Sequence, residues 1–283
     1  MSGTQSAYIC PVCKDPLGLY DKTYRCGKGH CFDISAKGYV NLLLSKGRNP
    51  AKSGDNKLMV KARSDFLDSG HYEPLANRVA ALINKYVSGK DEPIVIDSGC
   101  GEGYYTLICA KATPEARFFG IDISKTAAAK GASRSKAENV ENAMFAAASG
   151  YSLPFADSSA DVLCSIFAPV ADKEYSRVLE PEGRLIVVSP GARHLFALKA
   201  LLYDEPYENK PNDYALKCFE LEAEEQLDYS VTLRSSKEIG DLFTMTPYYY
   251  KTPQSAIEKI NNTESLVCEC SFVIQTYRKI KQV

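Results

Sequence analysis

A short apolar run, Ile94-Val95-Ile96, leads into Asp97-Ser-Gly99-Cys-Gly101-Glu-Gly103-Tyr-Tyr105, and this junction constrains the fold more than any other part of the 283 residues. Glycine at every second position lets the backbone turn sharply and leaves bare amides at the start of the next helix, where a ligand can lie against them. Downstream the hydrophobic period alternates. Apolar runs at 117–123, 143–148, 160–168 and 184–189 predict strands, and stretches such as 125–136 and 174–179 between them predict helices. Strand, helix and strand repeated in this way predict an α/β fold, a mostly parallel sheet with helices on both faces. Ligands of such sheets bind outside the carboxyl ends of the strands, at the point where the strand order reverses.

The spacing of the glycines separates two cofactor classes. A dinucleotide fingerprint reads Gly-x-Gly-x-x-Gly, whereas here Asp97 precedes Gly-x-Gly-x-Gly, placing a carboxylate where it can answer a positive ammonium. Asp122, near the end of the next predicted strand, can accept both hydroxyls of a ribose. Together Asp97, Gly99, Gly101, Gly103 and Asp122 point to S-adenosylmethionine. Cys100, between two of the glycines, reads as small-residue packing.

Ahead of this unit lies a different kind of segment. Cys10 and Cys13 form a Cys-x2-Cys knuckle, and Cys26, His30 and Cys31 follow after a short return of the chain. Two thiolates on one side of a turn, closed by a second pair, make a tetrahedral zinc site. The fourth ligand is His30 or Cys31; His30 is preferred, and buried free thiols are the bland alternative. So small a segment has too little apolar surface to fold unaided, so zinc would supply its folding energy and its removal would unfold this module without touching the rest.

Net charge over the whole chain is −1, but residues 1–63 hold eleven Lys and Arg against four Asp and Glu, and the remainder twenty-three against thirty-one. The basic end is a candidate phosphate-facing surface. A turn-rich basic stretch, Ser45-Lys-Gly-Arg-Asn-Pro50-Ala-Lys-Ser-Gly-Asp55, reads as a linker, with a domain boundary near residue 50 and helical patterns resuming over 58–67 and from Leu75 to Ile83. An apolar fraction of 45% and a charged fraction of 24% exclude a disordered chain or a coiled-coil rod. No apolar run long enough to span a membrane occurs and residues 1–9 lack the pattern of a signal peptide, so a cytoplasmic protein is expected, its cysteines thiols or metal ligands.

Beyond these residue-level readings, Asp97 to Thr106, the Leu153-Pro-Phe155 element with Asp157 and Asp161, and Leu179-Glu-Pro-Glu-Gly183 resemble class I S-adenosylmethionine-dependent methyltransferases, whose sheet is Rossmann-like. A narrower resemblance is to the RlmA-type 23S rRNA (guanine-N1)-methyltransferases. It rests on the Cys10 to His30 motif with Phe32-Asp33 and Gly38-Tyr-Val-Asn-Leu-Leu43, on Phe66-Leu-Asp-Ser-Gly-His-Tyr72, on Gly101-Glu-Gly-Tyr-Tyr105, on Ala168-Pro169, on Pro190-Gly-Ala-Arg-His-Leu195 and on Met245-Thr-Pro247. These collinear motifs span nearly the whole chain.

The resemblance implies a zinc-binding RNA-recognition module over 1–50 and a methyltransferase domain with a helical lead-in over 51–283. It implies zinc on Cys10, Cys13, Cys26 and His30, cofactor contacts from Tyr72, Gly99, Gly101, Glu102, Gly103, Tyr104, Asp122 and His194, and a hairpin in domain II of 23S rRNA as substrate, with no DNA or membrane partner and a homodimer as a possible assembly. Phe167 and Pro169, after the fourth strand, are where such enzymes present groups to the target base; Phe167 would stack on guanine or pack in the core. No residue stands out as general base. His71 reads as a functional or a capping residue, and the third strand ends in Ser149-Gly150, where many methyltransferases carry an acidic residue against adenine. Ser165 stands where relatives can carry a basic side chain. Residues 218–283 predict further strands and a helix, with Tyr248 to Tyr250 as core rather than stacking surface. Two rival readings are a small-metabolite or quinone methyltransferase with a purely structural zinc knuckle, and a nucleic-acid-binding module whose cofactor domain is inert.

Overall fold

The computed structural model describes residues 4–44, 57–212, 214–250 and 252–280. Two sheets organise the chain. The first is antiparallel, with β1 (Thr4–Ile9), β2 (Pro16–Tyr20), β3 (Thr23–Arg25) and β4 (Cys31–Asp33) in sequential order. Each connection in it is a short turn, and left-handed Lys14, Asp21 and Gly29 supply the reversals. A short strand, β5 (Val40–Asn41), then leaves this ribbon for the second sheet. The linker expected near residue 50 lies outside the described residues.

After α1 (Lys57–Asp68) and α2 (Glu73–Val87) comes the predicted alternation: β6 (Ile94–Ser98), α3 (Tyr104–Ala112), β7 (Arg117–Asp122), α4 (Lys125–Ala137), β8 (Ala143–Ala147), β9 (Ala160–Ile166), α5 (Asp172–Val178) and β10 (Leu179–Pro190). The rest is α6 (Phe196–Leu202), β11 (Phe219–Leu233), α7 (Ser236–Thr244), a 3-10 turn at Pro247–Tyr250, α8 (Gln254–Asn261) and β12 (Leu266–Lys279). The second sheet has eight strands in the order β11-β12-β10-β9-β6-β7-β8-β5. Its members from β10 to β5 run parallel, while β12 is antiparallel to both β10 and β11. The chain steps outward from β6 to β7 and β8 and then crosses back to β9 on the other side of β6, so the switch point lies between β6 and β9. All seven residues of β9 are buried, as befits a central strand covered on both faces.

Several boundaries differ from the sequence pattern. The helix expected over 174–179 is Asp172–Val178, and Leu179 already belongs to β10; the fourth strand stops at Ile166, before the turn that carries Phe167. The expectation that the zinc module stands apart from the rest meets a shared core. Tyr8 is 1% exposed and packs its ring at 5.2 and 5.3 Å from Phe119 and Phe155, and the Ile9 amide donates to the Pro154 carbonyl. Leu17 and Tyr24 join the same apolar cluster as Ile96, Phe119 and Phe155. The Leu153-Pro-Phe155 element therefore serves as the seam between ribbon and sheet. Among the described residues no helix is long and apolar enough to cross a membrane.

Candidate functional site

Two side-chain constellations stand out. In the ribbon, the turn after β1 brings Cys10 and Cys13 together through a Lys14 amide to Cys10 carbonyl bond, and the turn between β3 and β4 brings Cys26 and His30 together through a Cys26 amide to His30 carbonyl bond. The donor atoms of all four lie within 4.8 Å of one another. His30 Nδ1 is 3.6 Å from Cys10 Sγ and 3.3 Å from Cys26 Sγ, and Cys13 Sγ is 3.6 Å from Cys26 Sγ. A tetrahedral zinc with Zn–S of about 2.3 Å has edges of about 3.8 Å, so this donor set fits the ion. Cys31 is exposed and its thiol turns toward the Gly29 carbonyl, away from the cluster. His30 is therefore the fourth member in space as well as in spacing.

The second constellation is a cavity of about 750 Å³ at the carboxyl ends of β6, β9 and β10. The glycine loop forms its floor. The amides of Gly99 and Cys100 both donate to the Ile121 carbonyl, and the Gly101 amide donates to Asp122 Oδ2 at 2.9 Å. Gly99 has φ +83°, and a Cβ there would stand 2.5 Å from Ala168 Cβ. Gly103, at φ +82°, starts α3, and a Cβ on it would meet the Phe145 ring at 2.7 Å. These two glycines meet both conditions that exclude other residues, a left-handed backbone and no room for a side chain.

Asp97 closes β6 and is buried at the back of the cavity. Its Oδ2 accepts from Thr106 Oγ1 at 2.5 Å, while its Oδ1 is buried with no hydrogen-bond partner among the described residues. Burial pushes this carboxyl up to about 7 against the opposing pull of Thr106, with Asp122 and Glu102 adding to the rise. Glu102 Oε1 is likewise buried without a hydrogen bond, 3.8 Å from Arg134 Nη1, and burial raises its pKa. A cavity ending on an orphaned carboxylate oxygen above a loop without side chains at Gly99 and Gly101 fits a ligand that brings a positive charge.

Across the cavity, aromatic residues meet. His194 is 7% exposed; the Ser271 amide donates to its Nδ1, which fixes the ring proton on Nε2, 3.3 Å from Tyr72 Oη. Burial pulls the imidazole down to about 3, so it is neutral near pH 7. Phe167 follows β9 at φ +54°, a left-handed conformation uncommon for a bulky side chain, and its ring lies nearly parallel to His194 with centroids 6.2 Å apart. It is 43% exposed, so it is a wall of the cavity rather than a core residue.

Of the residues picked from the sequence, Tyr72, Asp97, Gly99, Gly101, Glu102, Tyr104, His194, Phe167 and Pro169 line this cavity. Gly103 and Asp122 do not. Gly103 shapes the loop from behind, and Asp122 accepts from the Gly101 and Ser124 amides. Ser149 accepts from the Tyr151 amide and Ser165 donates to the Ala168 carbonyl; neither lines the cavity. His71 stands off it too, with Nε2 3.5 Å from Glu238. Tyr105, in the Gly101-Glu-Gly-Tyr-Tyr105 motif, lines the cavity beside Tyr104; sequence reasoning missed Arg63 and Met59 on α1, and Asn209 and Tyr214 from the segment before β11. Tyr248 and Tyr250, expected in the core, line the cavity and are not buried. The Met245-Thr-Pro247 motif was the available signal that this turn reaches the site.

A family model described as a methyltransferase domain matches residues 90–246, and one described as RlmA, N-terminal, matches residues 8–47. The fold resembles the crystal structure of YcgJ from Bacillus subtilis, with a TM-score of 0.51 and 19% identity over 73% of this chain and 100% of that one. Fold, cavity and matched models together define a class I S-adenosylmethionine-dependent methyltransferase that carries a zinc ribbon. The 23S rRNA (guanine(748)-N(1))-methyltransferase of Streptomyces fradiae is 33% identical over 89% of both chains. YxjB of Bacillus subtilis (strain 168) is 32% identical over 92% of this chain and 93% of its own. The chain belongs to the 23S rRNA (guanine-N1)-methyltransferase family.

Proposed function

We propose that this chain methylates N1 of a guanine in a domain II hairpin of 23S rRNA, with the residues above in definite roles. The observation that carries the reading is the cavity itself: an orphaned Asp97 Oδ1 above a glycine loop at one end, and the half-exposed Phe167 ring at the other. When bound, S-adenosylmethionine supplies a methyl group on a positively charged sulfonium. Asp97 accepts from the ammonium of its methionine half, the glycine loop lies beneath it, and Asp122, which holds that loop through the Gly101 amide, reaches its ribose from the end of β7. Tyr72 and His194 act as one unit: the imidazole donates from Nε2 to the phenol oxygen, leaving the phenol proton to donate into the cavity. His194 is not the general base, because its only lone pair, at Nδ1, already accepts from Ser271.

Phe167 stacks on the guanine, which must leave its stem to enter the cavity, and the neighbouring Pro169 limits where the base can sit. Methyl transfer from a sulfonium is an in-line displacement, so this stacking contributes by fixing N1 on the axis of attack. Cys10, Cys13, Cys26 and His30 hold zinc, which locks the two turns of the ribbon. The exposed Lys14, Lys22, Arg25 and Lys37 of residues 1–50 then face RNA phosphates; the basic run at 45–55 lies outside the described residues. Residues 51–283 carry the cofactor and the target base, and two copies pair as a homodimer, which light scattering tests.

The deciding experiment is transfer of radiolabelled methyl from S-adenosylmethionine to protein-free 23S rRNA from cells lacking the gene, followed by mass mapping. A single N1-methylguanine in domain II is expected. Incorporation elsewhere in the rRNA, or none with the cofactor bound, overturns the substrate assignment.

A further inference from the structure

Helix α1 brings three side chains to the cavity, one of them charged, that the roles above leave unused. Met59, Arg63 and Leu67, four residues apart, line the same wall, which puts one face of this lead-in helix over the glycine loop. Arg63 is half-buried; its Nη1 lies 3.7 Å from where a Cβ on Gly101 would stand, and its Nη2 donates to the Met245 carbonyl at 3.4 Å. Tyr105, in the first turn of α3, lies within the electrostatic reach of the same guanidinium. Its phenol is 9% exposed, lines the cavity, and has a buried oxygen with no hydrogen-bond partner among the described residues.

A buried hydroxyl without a partner costs free energy that a ligand acceptor would recover. The cavity around the loop therefore holds groups of both polarities. Asp97 Oδ1 is a buried acceptor without a hydrogen-bond partner among the described residues, Tyr105 Oη is a buried hydroxyl in the same state, and the Arg63 guanidinium lines the same cavity. A ligand that pairs with both Asp97 Oδ1 and Tyr105 Oη brings a donor and an acceptor, and an amino acid carries these as an ammonium and a carboxylate on neighbouring atoms. A guanidinium suits the carboxylate because its planar fork matches two oxygens.

We propose that Arg63 and Tyr105 bind the α-carboxylate of the methionine half of the cofactor, with its ammonium at Asp97. This rests on the cofactor reading above and adds to it a residue from the lead-in helix, so that α1 is part of the cofactor site rather than a spacer between ribbon and sheet. A phosphate of the RNA is a poorer occupant for Arg63, which is half-buried and faces the loop.

Binding of S-adenosylhomocysteine and of its decarboxylated analogue to the full-length, zinc-loaded protein separates the possibilities by calorimetry. Arg63→Met is expected to weaken S-adenosylhomocysteine by about 10- to 100-fold and Tyr105→Phe by about 3- to 10-fold. The decarboxylated analogue should bind both variants within about twofold of the wild type, because it lacks the group they contact. Retained binding of that analogue also shows that the variants are folded. Equal loss of both ligands, or loss of neither, overturns the assignment. If the wild type binds neither ligand, the cofactor reading falls and this inference falls with it.

Discussion

The metal quartet and the methyl-transfer cavity are built on opposite plans. All four donors of the quartet come from residues 10–30, held by two turns of a small antiparallel ribbon. The cavity draws on α1, the loop after β6, the turn after β9, the segment after β10 and the 3-10 turn before α8, a span from Met59 to Tyr250. Spacing could specify the first down to one choice between neighbours, His30 or Cys31, because a tight turn converts chain distance directly into spatial distance. The second exists only once the parallel strands have aligned their carboxyl ends.

That contrast can be broken most severely at the metal. Apparent zinc binding energies of structural sites are about 10–16 kcal/mol, more than a four-stranded ribbon can otherwise supply. Cys26→Ser or chelation is therefore expected to abolish zinc stoichiometry and unfold the ribbon, read by proteolysis. Tyr8 covers Phe119 and Phe155, so the melting temperature of the sheet should fall by several degrees as well. An unmoved sheet transition would mean that the seam carries no stability.

Gly99→Val attacks the cavity with next largest effect. The left-handed backbone and the 2.5 Å approach to Ala168 Cβ leave no place for the side chain, so the loop must shift. Affinity for S-adenosylhomocysteine should drop by more than about 100-fold while zinc content stays at wild-type level. Loss of zinc together with cofactor affinity would show that the two sites are not independent.

Phe167→Ala sharpens the division within the cavity. Stacking of a base on an aromatic ring is worth about 1–3 kcal/mol, so kcat/KM for rRNA should fall by about 5- to 100-fold. Affinity for the cofactor should change by less than about threefold, measured by calorimetry. A parallel loss of both would place this ring against the cofactor rather than the base.

The smallest effects are on pH dependence, and they have opposite signs. The Asp97 carboxyl is raised to about 7 in the folded state, so between about pH 4 and 7 the unfolded chain has lost a proton that the native one keeps, and stability falls as pH rises. His194 is lowered to about 3, so between about pH 6.5 and 3 the unfolded chain gains a proton that the native one refuses, and stability falls as pH drops. Relative to wild type, Asp97→Asn should gain melting temperature as pH rises from 4 to 7, and His194→Gln should lose it over the same window. Parallel curves for either variant would remove that group from the linkage.

Much of this molecule was already determined by local pattern. The alternating periods after Pro93 mark the strands β6 to β10 within a few residues, since burial on both faces forces continuous apolar runs. The glycine loop, Asp97 and the Cys10 to His30 spacing each mark their chemistry through neighbours in the chain. Tertiary structure decided the rest. It chose His30 over Cys31, because only one of two adjacent side chains can point into the turn. It inserted β12 between β10 and β11, added β5 to the far edge of the sheet, and made Tyr8, Phe119 and Phe155 one core. It also brought Arg63 and Tyr105 to one cavity across 42 positions of sequence and turned Phe167 outward at a left-handed residue. No local period encodes such meetings, because they depend on how helices lie across a sheet whose strand order is itself set by long-range packing.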